Sequence, residues 1–163
     1  GGAEGEEEGG QVSTKLGEFF TLEEFTRSNA AAAANVPNVP TEAHIAAMRL
    51  LVAHVLDPLR RLLGPIKVTS GYRSKAVNDE LRKRGKNASR TSQHMEGEAA
   101  DIVVPGFSPK QVATALVKAG IPFDQVIWYD GGWVHVSYTA KRANRGEVLH
   151  SPASGGYVEA VLA

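Results

Sequence analysis

The 163-residue chain contains no cysteine. That excludes a disulfide-stapled scaffold, a thiol nucleophile and a Cys-ligated zinc site, and leaves the compartment open. No apolar run approaches the ~18 residues of a membrane-spanning helix, so no membrane insertion is expected. The catalytic signatures GxSxG, GxxxxGKS/T and HExxH are missing, as is a GxGxxG after a strand. Aromatics are sparse at 7%. The basic stretch Arg73 to Arg90 has a single aromatic, Tyr72, at its border, too few for a single-strand stacking platform, and no nucleic-acid partner is expected. A solvated helix face, or attraction to an anionic polymer, accounts for those charges.

Net charge is also missing, but only as a sum: 18 Lys and Arg balance 18 Asp and Glu. The first ten residues hold Glu4, Glu6, Glu7 and Glu8 and no base, so the remainder carries 18 basic against 14 acidic groups, or +4. Residues 1–16 are Gly/Glu-rich without an apolar pattern and read as a disordered leader. The first two glycines could equally be an expression scar. No basic-then-apolar signal-peptide order is present, although a chain beginning with Gly could have lost a leader.

Residues 17–163 have the length of one domain. Thr21 with Glu24 forms a capping box, and Phe20 with Phe25 fits a hydrophobic staple, so a short helix follows. Thr41 caps the longest helix, whose stripe Ile45, Met48, Val52, Val55, Leu59 and Leu62 faces inward, with a kink expected at Pro58. His44 and His54 lie off that stripe and read as surface residues. Strands are expected over 65–72, 99–104, 125–129 and 133–139, the last two joined by the Asp130-Gly131-Gly132 turn. Helices fall over 74–84 and, from the Ser108-Pro109 start, as far as Gly120. Residues 141–163 read as an irregular end that packs through Val148, Leu149 and Tyr157. This order predicts an α+β domain with a small, mainly antiparallel sheet and flanking helices.

Ligand-type residues gather at strand edges. His94 lies in a loop, Asp101 opens an apolar strand, and His135 lies inside another. Alternation puts Trp133, His135 and Ser137 on one face and Val134 and Val136 on the other. An Asp between Ala100 and Ile102 is costly to bury without a partner or a metal. Two imidazoles and a carboxylate meeting there would make a zinc site with a position open to water. Spacing alone leaves the alternatives open: a satisfied strand His, a capping Asp, or Glu96 and Glu98 as rival ligands.

Thr69-Ser70-Gly71-Tyr72-Arg73-Ser74, then Ser92-x-His94-x-x-Gly97-x-Ala99-x-Asp101, then Trp133-x-His135-Val136-Ser137 resemble the zinc D-Ala-D-Ala carboxypeptidase family. That family includes L-Ala-D-Glu endolysins and has the Hedgehog domain as a fold relative. The resemblance extends over about residues 18 to 160 and is strongest to the compact phage- or prophage-type branch.

It implies that His94, Asp101 and His135 ligate one Zn2+, which lowers the pKa of a bound water toward ~7 and polarises a scissile carbonyl. It implies that Arg73 contacts substrate, with Ser92, Gln93 and Trp133 beside it. The family places an acidic general base shortly before the last His. Here Asp130, five residues before His135, is the carboxylate at a suitable spacing, unless it only builds the Asp-Gly turn.

The function so implied is a zinc-dependent metallopeptidase that cuts peptidoglycan stem peptides as a carboxypeptidase or an endopeptidase; a monomer is expected. It would act at the bacterial cell wall or be carried there by a phage or injection particle. The alternative is a non-catalytic, zinc-containing wall-binding or structural module of such a particle.

Overall fold

The computed structural model describes residues 14–86, 92–160 and 162. Most of the Gly/Glu leader therefore lies outside the described residues, but its last positions belong to the fold. Leu16 is buried in the core, Leu22 N–H donates to the Thr14 carbonyl, and Lys15 bridges Thr21. Order thus begins earlier than the expected boundary at 17. Asp57, also buried, accepts the Glu18 and Phe19 amides and ties this entry segment to the long helix.

Helix α1 (Leu22–Thr26) starts at the Thr21–Glu24 capping box, and the Phe20 and Phe25 rings meet edge to face at 6.4 Å. Helix α2 (Asn29–Ala34) ends on Asn35, whose left-handed backbone closes it before the Pro37–Pro40 loop. Helix α3 (Glu42–Leu51) is capped by Thr41, with His44 at the third position accepting the Thr41 amide through Nδ1.

The break expected at Pro58 is a π turn over Val52–Leu56, followed by α4 (Asp57–Leu63). Pro58 has no N–H for the His54 carbonyl and its ring crowds that carbonyl, so the backbone widens and Asp57 N–H bonds to the Val52 carbonyl. The extra residue rotates the next turn. Leu62 is consequently 53% exposed, against the expectation from a regular period, and Leu63 packs on the core instead.

Six strands form one sheet in the order β1-β2-β4-β3-β5-β6. They are β1 (Lys67–Ser70), β2 (Ala99–Val103), β3 (Gln125–Tyr129), β4 (Trp133–Ser137), β5 (Glu147–Ser151) and β6 (Val158–Glu159). All pairings are antiparallel except β3 with β5. Helix α5 (Lys75–Lys83) follows β1, and α6 (Pro109–Lys118) links β2 to β3 from a full Ser108–Gln111 capping box. The fold is a single-domain α+β architecture with a mainly antiparallel sheet. Val134, Val136 and Ile102 enter the core with the long helix, which leaves the opposite sheet face for chemistry.

The C-terminal segment is not irregular, because β5 and β6 extend the sheet. The cause is Asp124, whose fully buried carboxylate accepts bonds from the Arg142 and Arg145 guanidinium groups and the Arg145 amide. Glu147 N–H then donates to the Asp124 carbonyl, which places β5 beside β3 in parallel register. Tyr157, expected to help pack this segment, is half exposed.

Candidate metal centre

The loop carrying His94 is a short 3-10 turn, Gln93–Glu96, built from its own residues. Ser92 caps it by accepting the His94 amide at 3.1 Å, and Gly97 closes it at φ +75°. A side chain at Gly97 would also strike the His44 carbonyl, so the first turn of α3 buttresses this turn. Just beyond β1, Arg73 N–H donates to the His94 carbonyl. The Gly71 carbonyl lies 2.7 Å from His94 Nδ1, and a Cβ at Gly71 would run into the Phe25 backbone.

These bonds fix a tautomer. A carbonyl only accepts, so His94 Nδ1 carries the hydrogen and the Nε2 lone pair of the neutral ring is left free. That nitrogen is 3.4 Å from Asp101 Oδ1. Register brings the third member: Asp101 on β2 faces His135 on β4, whose Nδ1 is 3.3 Å from the same oxygen. One ligand atom from each of the three residues lies within 4.8 Å of the others.

This arrangement fits a metal ion. With Nδ1 held on the Gly71 carbonyl, His94 directs Nε2 at an Asp101 carboxylate oxygen, and a cation shared by the two suits that geometry. Ligand atoms around a tetrahedral ion with bonds of about 2.0–2.1 Å lie roughly 3.3–3.4 Å apart, which the observed spacings match. Burial opposes charge on Asp101, but the His94 and His135 imidazoles outweigh it and hold the carboxyl well below its usual range. Burial pushes His135 down, with Asp101 pulling the other way. A neutral imidazole and an ionised carboxylate are the forms that bind metals.

The trio opens on a cavity of about 410 Å³. Arg73, Ser92 and Trp133 line it with the trio. Arg73 Nη2 donates to Ser92 Oγ at 3.2 Å, while its Nε is buried without a partner. Burial lowers the Arg73 pKa, opposed by Asp101 and Tyr129.

Tyr129 and Tyr157 line the cavity too, with Gln93, Gln125, Arg142 and Arg145. Only Gln93 among them was singled out from the sequence as a site residue. Tyr129 stacks on Trp133 at 4.4 Å and its hydroxyl is 3.4 Å from that of Tyr157; burial, then Tyr157, push its pKa up, so the phenol keeps its proton. Its signal was available, since it pairs with Trp133 across the hairpin and so shares that residue's face.

Asp130 is not brought into this group. Its Oδ1 meets His150 Nε2 at 2.8 Å and its Oδ2 accepts the Ala153 amide at 3.0 Å. Those two bonds lower its pKa. The residue is absent from the cavity lining, where Asp101 is the single carboxylate among the described residues. The placement does not suit the general-base role expected for Asp130, because hairpin geometry sends its side chain to β5. His150, unassigned from the sequence, is its partner and stacks on Trp128 at 3.5 Å.

Fold and site together define a domain with a candidate His/Asp/His metal site on an open sheet face. The family model described as Peptidase M15 matches residues 18–137, and the chain belongs to that family. It is also 34% identical over 70 residues to the peptidoglycan L,D-endopeptidase MepK of Escherichia coli K12, and equally to that of Shigella flexneri. The match spans 39% of this chain and 38% of those relatives, well under two thirds of their length.

Proposed function

We propose that this chain is a zinc-dependent peptidase acting on the stem peptides of bacterial peptidoglycan. The observation that carries the reading is the His94–Asp101–His135 cluster, with its tautomer set by Gly71, at the floor of a cavity in a peptidase M15 chain. The names of the MepK relatives support the wall peptide as substrate.

His94 Nε2, an Asp101 oxygen and a His135 ring nitrogen would hold the ion. Zinc so held supplies Lewis acidity, which activates water and polarises the scissile carbonyl. Arg73 presents a guanidinium to a substrate carboxylate or to the carbonyl oxygen as negative charge develops there. Ser92 fixes the fork of Arg73 and caps the His94 turn at once. The protonated Tyr129 phenol is a second donor facing the cavity, and the Tyr129–Trp133 stack forms a wall that sheds water.

A second reading is a wall-binding or structural module that holds zinc without turnover. Engagement of Asp130 by His150 and Ala153 favours it, since that carboxylate is unavailable as a base. Zinc content and the mass spectra of fragments released from purified peptidoglycan separate the two. About one zinc per chain with soluble stem-peptide fragments is the expected result. Stoichiometric zinc and wall binding without fragments would establish the module, and hydrolysis that persists after stringent zinc removal would refute the metal mechanism.

A further inference from the structure

A second cavity, of about 560 Å³, adjoins the first and shares two walls with it, Arg73 and Asp101. It runs along β1, the terminal strand of the sheet, whose outer edge has no strand partner among the described residues. The α1–α2 turn forms its opposite bank. Thr69 lies at a β-bulge, where the register to β2 shifts, and its hydroxyl bonds to the Asp101 carbonyl, which ties the bulge to the strand carrying that carboxylate.

Charge in this groove is unbalanced. Arg27 and Lys67 are exposed and make no ion pair among the described residues. The one further carboxylate, Glu24, is engaged by the Thr21 amide and hydroxyl in the capping box.

We infer that the groove between β1 and the α1–α2 turn binds an extended acidic peptide segment, paired on the β1 edge and read by Arg27 and Lys67, as one end of the substrate that crosses the metal site. The inference rests on the peptidase reading above. A peptide occupying both cavities passes over the trio, so the bond it presents is internal to the chain and cleavage is endopeptidic. Main-chain pairing on a free strand edge supplies affinity without demanding particular side chains, and the two cations select for carboxylates. The free carboxylates of a wall stem peptide have that chemistry.

The test uses zinc-loaded protein and three probes: a stem pentapeptide with free carboxylates, the same peptide with them amidated, and the dipeptide D-Ala-D-Ala. Titration followed by amide chemical shifts should move Thr69 and Ser70 with the acidic pentapeptide and leave them still with the dipeptide. The charge-reversal pair Arg27→Glu and Lys67→Glu should weaken the acidic pentapeptide roughly tenfold at low salt, the scale expected of two exposed contacts. The amidated peptide should lose far less.

Should the pair misfold, Arg27→Gln and Lys67→Gln must show the same selectivity with smaller losses. Shifts confined to the trio side, or equal losses for the acidic and amidated peptides, would overturn the inference. Binding on β1 without hydrolysis of any probe would leave the groove standing and remove the peptidase reading, so the two fail separately.

Discussion

Two buried aspartates show how one side chain serves two ends. Asp124 is wholly inaccessible and surrounded by donors of this chain: two guanidinium groups, a backbone amide and the Gln93 amide. Asp101 is one fifth exposed and faces the imidazoles of His94 and His135. Both carboxyls are held well below their usual range against the cost of burial, Asp124 by arginines that are always cations, Asp101 by rings that are cations only when protonated. A carboxylate with its own cations holds a fold together. One without them, at the floor of a cavity, is a place for a cation from outside.

The comparison can be broken by mutation. The largest effect on function is expected from Asp101→Asn or His94→Ala. Either should abolish zinc retention in equilibrium dialysis and reduce peptide release by more than the roughly 10–100-fold that changes outside the ligand sphere cost. Thermal stability of the metal-free protein should change little by comparison. Asp124→Ala should do the reverse, costing about 2 kcal/mol in urea unfolding by leaving the Arg145 and Gln93 amides without their acceptor, while the protein that remains folded still binds zinc.

Acid sharpens the same contrast. Asp124 has a folded pKa below the ordinary carboxylate value of 3.8, so its stabilisation is fully present above that value and is lost as pH falls through the folded pKa. Wild type should therefore lose stability steeply below about pH 4, and Asp124→Asn should show a shallower acid limb in the same titration.

A smaller effect is expected at Arg73→Lys, which keeps the charge and loses the fork shared with Ser92. Peptide release should fall about tenfold, mostly through KM, with zinc content unchanged. Smallest is Asp130→Asn, which alters an exposed contact with His150. The thermal midpoint should barely move and peptide release should change by less than about twofold. A loss near that of His94→Ala would restore Asp130 to the chemistry.

What could be read from the chain beforehand was whatever is encoded locally. Thr21, Thr41 and Ser108 mark helix starts through contacts spanning three residues, and all three caps form. The grouping of His94, Asp101 and His135 was legible only through the family resemblance of their motifs, since spacing alone left Glu96 and Glu98 as rivals. The unread features depend on distant partners. Leu62 was placed inward because a π turn disturbs the period only through the carbonyl that Pro58 displaces. Strand β5 was missed because its place is set by Asp124, more than twenty residues earlier, and a five-residue apolar-polar run does not name its neighbour. Tyr129 was read only as the end of a strand, because its pairing with Trp133 is what shows which way it points.

The bond from His94 Nδ1 to the Gly71 carbonyl has a kinetic consequence. The ligand's tautomer is guarded by the chain just beyond a terminal strand, held there by the Tyr72 amide on Phe25 and the Arg73 amide on His94. Openings there are rare, because Gly71 and Tyr72 are buried and the backbone is bonded on both sides. Each opening would free the imidazole to rotate and exchange its proton, so the residence time of a bound ion would be set by how often this segment frays. Hydrogen exchange at those two amides would then keep time with metal release.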